Sequence, residues 1–201
     1  MTPLHDPPRL AFFVSGRGSN LIALLEAITN GALTATPAVV ISNRASAGGL
    51  DEALQRGVPI LVQHPAKYIS PHDYATDLLR MLHHYEVDVL VLAGYLKQLP
   101  SEVIAEFAGR IINVHPALLP LHGGKGMYGH HVHQAVLDAG EAESGVTIHL
   151  VTEEYDEGPV LAQERVPVMA GDTAESLAAR VLAVEHRLYA ATLSTLLDSL
   201  K

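Results

Sequence analysis

Asn113-Val114-His115-Pro116 and, further downstream, Tyr155-Asp156-Glu157-Gly158 supply an amide, an imidazole and a carboxylate. An amide can donate a hydrogen bond to a developing oxyanion, and an imidazolium can do so more strongly. A carboxylate can hold the imidazole charged and accept protons. If the fold brings Asn113, His115 and Asp156 to one point, they are equipment for moving an acyl group. Each also has a plainer reading. Asn113 can be a capping residue, His115 a hydrogen-bonded core histidine, and Asp156, beside Gly158-Pro159, a turn former.

A second cluster, Ser15-Gly16-Arg17-Gly18-Ser19-Asn20, follows an apolar run at residues 10–14 and opens a helical pattern. Its amides and the helix dipole suit a phosphate, with Ser19 or Asn20 assisting. No Gly-Lys-Ser/Thr follows, so it is not a Walker loop. Leu21 takes the place of a third glycine, so it is not a dinucleotide fingerprint either. The alternative is a tight strand-to-helix turn capped by Ser19.

These groups need elements to position them. Leu21, Leu24, Leu25 and Ile28 recur at helical spacing until Asn30-Gly31. Strands are expected at residues 38–41, 59–62 and 87–93, the last an apolar stretch of the kind buried on both faces. Helices are expected at 47–56, 73–84 and 101–107, with Ser101 as N-cap of the third. Residues 111–114 form the strand that delivers Asn113 and His115 to its C-terminal end. Alternating strands and helices predict an α/β fold, a single Rossmann-like domain over residues 1–201 with a mostly parallel sheet. Ligands bind such sheets at the strands' carboxyl ends, where both clusters fall.

Beyond Pro120 the pattern changes. Residues 121–129 hold four glycines and read as a mobile loop that could close as a lid, followed by a helix at 130–139. Strands at 145–152 and 160–168 predict an antiparallel end to the sheet. Thr173 caps a long last helix whose inner side carries Leu177, Val181, Val184, Leu188 and Leu196. Glu185 and His186 on that helix default to the surface, although one could line the crevice.

Composition excludes several classes. A net charge of −9 argues against broad nucleic-acid binding. The absence of cysteine removes disulfides, thiolate nucleophiles and zinc–thiolate sites. No apolar run is long enough to span a bilayer. The start, Met1-Thr2-Pro3-Leu4-His5-Asp6, lacks the regions of a signal peptide. The expectation is a soluble, cytoplasmic protein with small-molecule partners and no membrane or nucleic acid; a homodimer is compatible with it. His130 and His133 could share a helix face, but no carboxylate stands at the helical offset that would complete a metal site. They are assigned as first-turn caps or loop-facing groups, with no metal. His83-His84, at a helix end, are assigned to its dipole.

Taken together, these segments resemble the folate-dependent formyltransferase family across nearly the whole chain. The carriers are residues 15–20, Val91-Leu92-Ala93-Gly94-Tyr95, residues 109–120 with Asn113-x-His115-Pro116-x-Leu118-Leu119-Pro120, and residues 145–151 running into Asp156-Glu157-Gly158-Pro159-Val160. The first loop and the stop near 201 residues select the branch acting on glycinamide ribonucleotide. Rival members carry an added N-terminal regulatory or basic C-terminal domain. The resemblance implies transfer of a formyl group from 10-formyltetrahydrofolate, with Asn113, His115 and Asp156 as the catalytic trio and an imidazolium at His115. It places the ribonucleotide on Arg17, Gly18, Ser19, Asn20 and Glu185. It places the folate on Leu92, Tyr95, Leu96, Lys97, Asn113 and Asp156. Lys97 stands where several relatives have arginine, and the segment 68–74 lacks an arginine that some use near the folate tail.

Overall fold

The computed structural model describes residues 3–201; the first two residues of the inspected start, Met1 and Thr2, fall outside it. Seven strands form one sheet in the order β3-β2-β1-β4-β5-β6-β7. They are β1 (Arg9–Val14), β2 (Thr36–Ser42), β3 (Ile60–Val62), β4 (Val89–Leu92), β5 (Ile111–His115), β6 (Glu143–Leu150) and β7 (Val160–Pro167). The first five pair in parallel, and β6 and β7 add on antiparallel. Six α-helices cover it: α1 (Ser19–Thr29), α2 (Gly48–Gln55), α3 (Pro71–His84), α4 (Ser101–Glu106), α5 (His130–Asp138) and α6 (Ala174–Ser199). Among the described residues, no helix is long and apolar enough to cross a membrane.

The alternation of side chains along a strand builds two cores, one on each face of the sheet. On β1, Leu10, Phe12 and Val14 pack with α1 and α6 residues such as Leu24, Leu177 and Tyr189. Ala11 and Phe13 face the other way, towards Leu78 and Leu82 of α3 and Val103 of α4. Covered on both sides, β4 can be four consecutive buried aliphatic residues. Tyr189 crosses from α6 to place its hydroxyl 3.1 and 3.0 Å from the carbonyls of Leu92 and Ile112. Its one proton is shared between the last residue of β4 and the second residue of β5.

Several boundaries differ from the sequence-based expectation, each for a local reason. β4 starts only at Val89, because Asp88 is a buried carboxylate that accepts the Arg9 amide at 2.7 Å. α3 starts at Pro71, since Ser70 caps it by accepting the Asp73 amide at 3.1 Å. Ser101 is the first residue of α4 rather than its cap, which is Pro100. Ser19 likewise lies inside α1, whose N-cap is Gly18 in a left-handed conformation at φ 82°. His83 bonds the Glu106 carboxylate rather than only facing the helix dipole. Thr173 caps α6 as expected, in a reciprocal capping box with Ser176. On the inner side of α6, Val184 and Leu188 are only partly buried, and Glu185 is buried among the apolar residues.

The strand order reverses between β1 and β4, so the loops after these strands part and leave a crevice. Ser15 ties its two walls: its amide donates to the Gly94 carbonyl at 3.1 Å, and its hydroxyl accepts the Leu96 amide at 2.9 Å.

Candidate active site

A cavity of about 950 Å³ opens at this crevice, and the sequence clusters meet around it. Strand β5 delivers Asn113 and His115, two residues apart and therefore on one face. Asp156 arrives from the β6–β7 connection in a left-handed conformation, φ 58°, that aspartate tolerates better than most residues. The three converge. His115 Nδ1 lies 3.5 Å from Asp156 Oδ2, and His115 is almost wholly buried.

Antiparallel register brings in a residue that the sequence reading did not nominate. His149 on β6 sits opposite Asn113. Its Nδ1 donates to the Leu150 carbonyl at 2.9 Å, which leaves Nε2 to accept the Asn113 amide at 3.1 Å. The same Nε2 is 3.5 Å from Asp156 Oδ1. His149 thereby orients the Asn113 side chain, with one N–H held and the other free. Its signal in the sequence was strand alternation combined with pairing, and the pairing partner is not legible from one chain segment.

Two backbone groups complete the arrangement. His115 Nε2 donates to the His122 carbonyl at 2.9 Å, and the Gly124 amide donates to Asp156 Oδ2 at 2.9 Å. The start of the glycine-rich loop is thus a scaffold for His115 and Asp156, while residues 124–129 line the cavity.

Electrostatics corrects one expectation. Burial of His115 pushes its pKa down, and the attraction of Asp156 only partly offsets this. Burial thus works against the expected imidazolium held by the carboxylate and favours the neutral ring. For Asp156 burial works upward, but the contact with His149, the nearby His115 and the Gly124 amide outweigh it, and the carboxyl titrates below its ordinary range. The surroundings thus favour the charged form of the carboxyl, while burial disfavours charge on the imidazole.

At the other wall, Arg17, Ser19, Asn20 and Glu185 line the cavity. α1 has no side-chain cap, so the first-turn amides remain available to a ligand. Asn20 Nδ2 donates to Glu185 Oε2 at 2.6 Å. Burial raises the Glu185 pKa in spite of this bond. Gly18 does not line the cavity. A Cβ there would lie 2.8 Å from Gly49 Cα, so packing and the positive φ by themselves already require glycine.

Leu92, Tyr95, Leu96 and Lys97 line the opposite side. Tyr95 is mostly buried; its ring packs edge-on to Phe13 and its hydroxyl meets Tyr74 at 3.2 Å. Leu96 and Lys97 are exposed at the rim. His130 pairs with Glu175 of α6 at 3.0 Å, a partner invisible to helical spacing. His133 is buried with its Nδ1 unpartnered, and burial lowers its pKa to about 4. It caps no backbone group, and it lines the cavity together with residues 124–129. Among the described residues no group of three potential ligands is placed to hold a metal ion.

Comparison with known proteins yields one consistent family. The family profile described as formyl transferase matches residues 8–193. The chain is 46% identical over 192 residues to the chloroplastic phosphoribosylglycinamide formyltransferase of Arabidopsis thaliana, covering 92% of this chain and 64% of that relative's length. It is 36% identical over 189 residues to the phosphoribosylglycinamide formyltransferase of Escherichia coli (strain K12), covering 94% and 87% of the two chains. The crystal structure of phosphoribosylglycinamide formyltransferase from Brucella melitensis superposes with a TM-score of 0.87 at 44% identity, over 96% of each chain.

Proposed function

The chain belongs to the formyl transferase family, and on that premise we propose that it moves the formyl group of 10-formyltetrahydrofolate to the amine of 5-phosphoribosylglycinamide. The products are formylglycinamide ribonucleotide and tetrahydrofolate, and the reaction is a step of de novo purine biosynthesis. The observation that carries the reading is the convergence of Asn113, His115 and Asp156 on one cavity. The names of the relatives support the choice of substrates.

The neutral amine attacks the formyl carbon, and the carbonyl oxygen gains negative charge. The free N–H of Asn113 donates to this oxyanion. His115, neutral, offers the Nε2 proton that it now gives to the His122 carbonyl. Asp156 accepts the proton of the attacking amine and returns it, through water, to the folate nitrogen as the C–N bond breaks. Arg17, Ser19, Asn20 and the amides opening α1 hold the ribonucleotide phosphate, Glu185 contacts its glycinamide part, and Gly18 shapes the turn. The folate ring lies along Leu92, Tyr95 and Leu96, with Lys97 at the rim and Asn113 and Asp156 at the reacting end. Residues 124–129 close over the formyl group and exclude water.

The reading keeps to small-molecule partners, without metal, nucleic acid or membrane, and places the reaction in the cytoplasm. Light scattering of the purified protein decides whether it works as a homodimer. The direct test is formyl transfer assayed with and without the ribonucleotide. Product formation only in its presence supports the transferase, and formate release without it points to a hydrolase. Asn113→Ala removes one oxyanion donor and should lower turnover about 10²–10³-fold. A near wild-type rate would remove Asn113 from the mechanism.

A further inference from the structure

Helix α5 buries three side chains, Val132, His133 and Val136. A helical position buried to that degree ordinarily takes an aliphatic residue, and a polar one there needs a partner. His130, one turn earlier on the same face, has one in Glu175 at the start of α6. His133 has none. The residue is only 4% exposed, its Nδ1 is buried without a hydrogen bond, and its Nε2 makes none to any described residue. Burial, with His130 and His115 nearby, lowers its pKa to about 4, so the ring is uncharged at neutral pH.

What His133 does meet is the cavity, whose wall it forms together with one face of α6. Glu175, Ala178, Leu182 and Glu185 recur there at three- and four-residue spacing and run along the helix for about 15 Å. Glu185, bonded to Asn20 of α1, marks one end of that face, and Glu175, bonded to His130, marks the other. Between them α6 offers the cavity only Ala178, Ala179 and Leu182, so polar contacts to a ligand lying there come from elsewhere. On α5 the cavity-lining residues are His130, already paired, and His133.

We propose that His133 is a substrate-binding residue, and that its imidazole hydrogen-bonds a ribose hydroxyl of the acceptor ribonucleotide. The inference rests on the formyl-transfer reading, which gives the phosphate to the start of α1, the glycinamide part to Glu185 and the amine to the trio. The ribose hydroxyls are the polar groups left without a partner. A neutral imidazole brings one donor and one acceptor, the complement of a hydroxyl, which is both, and it carries no charge with which to hold a phosphate. An unpaired polar group in a buried wall is a cost to the free protein that the bound ligand removes. Such a site also discriminates against an analogue lacking the hydroxyl, because the imidazole is then left unpaired.

The test measures binding of 5-phosphoribosylglycinamide and of its 2-deoxy and 3-deoxy ribosyl analogues by titration calorimetry, with steady-state kinetics alongside. His133→Leu removes both ring nitrogens, His133→Phe does so while keeping a ring, and His133→Gln keeps a donor and an acceptor. We expect His133→Leu to bind the ribonucleotide about tenfold more weakly, with kcat and the folate KM within about threefold of wild type. Wild type should bind one of the two deoxy analogues about tenfold more weakly than the ribonucleotide. In His133→Leu that difference should shrink to about twofold or less. His133→Gln should recover most of the affinity. Without ligand, His133→Leu should resist urea at least as well as wild type, since it gives up no hydrogen bond within the protein. An unchanged ribonucleotide affinity in His133→Leu overturns the proposal. So does a deoxy penalty as large in the variant as in wild type, or a loss confined to kcat. If His133→Leu does not fold, His133→Phe takes its place; failure of both shows a ring required by the fold and overturns the proposal too. A wild type that does not bind the ribonucleotide overturns this inference together with the formyl-transfer reading, whereas wild-type binding with unchanged affinity in the variant overturns this one alone.

Discussion

Replacing Asp156 by asparagine separates the charge of this residue from its shape. Asparagine also tolerates the left-handed backbone at φ 58°, and its carbonyl can still accept the Gly124 amide now held at 2.9 Å. What disappears is the ionised acceptor between His115 and His149, each 3.5 Å away. Turning the charged Gly124 hydrogen bond into a neutral one costs about 1 kcal/mol of stability. Loss of the proton acceptor costs more, because positioned acid–base groups contribute about 10²–10⁴-fold, or roughly 3–5 kcal/mol of barrier. Asp156→Asn should therefore stay folded, keep both KM values within a few-fold, and lose at least about 10² in kcat. The rate is followed by the absorbance of the folate product at saturating ribonucleotide, and the fold by urea denaturation. A variant retaining more than about a tenth of wild-type kcat would show that the proton leaves by another route. The pH dependence gives a second check. The folded pKa of Asp156 is depressed, so its contribution to stability is present above the ordinary carboxylate range and is lost as pH falls through the folded value. The variant should be flatter than wild type over that acidic interval.

Other positions yield shorter tests. His149→Phe keeps the ring volume but frees the Asn113 amide to rotate, and should lower kcat about tenfold with KM little changed; an unaltered kcat would show that His149 does not orient Asn113. Gly18→Ala meets Gly49 at 2.8 Å while at positive φ, and should cost at least about 1–2 kcal/mol in a denaturation midpoint experiment. A folded variant of full stability that only raised the ribonucleotide KM would instead favour close approach to the ligand. Glu185→Gln keeps an acceptor for Asn20 but removes a buried carboxylate whose pKa burial has raised. Such a group stabilises below its unfolded pKa, and that stability is lost as pH rises through the folded value. The variant should thus gain stability at neutral pH relative to wild type, while the ribonucleotide KM rises about tenfold. Loss of stability at neutral pH would reverse the assignment.

By itself the sequence determined the layered fold and named most of the polar residues that the structure brings to the cavity. Hydrophobic period and β-branched runs are local properties, and they placed the strands, the helices and the carboxyl-end crevice that holds Asn113, His115 and the turn at Gly18. The residues running from Asn113 to Pro120 likewise carry their chemistry in their types and spacing. Tertiary structure decided what depends on partners distant in the chain. Strand pairing set His149 against Asn113, α6 brought Glu175 to His130, and the backbone of His122 and Gly124 gripped His115 and Asp156 without any side-chain signature. It also decided charge, since the state of His115 depends on how much water the packed sheet excludes. A spacing rule can bring a carboxylate near an imidazole, but the balance between their attraction and the desolvation of the ring exists only once the surroundings are folded around both.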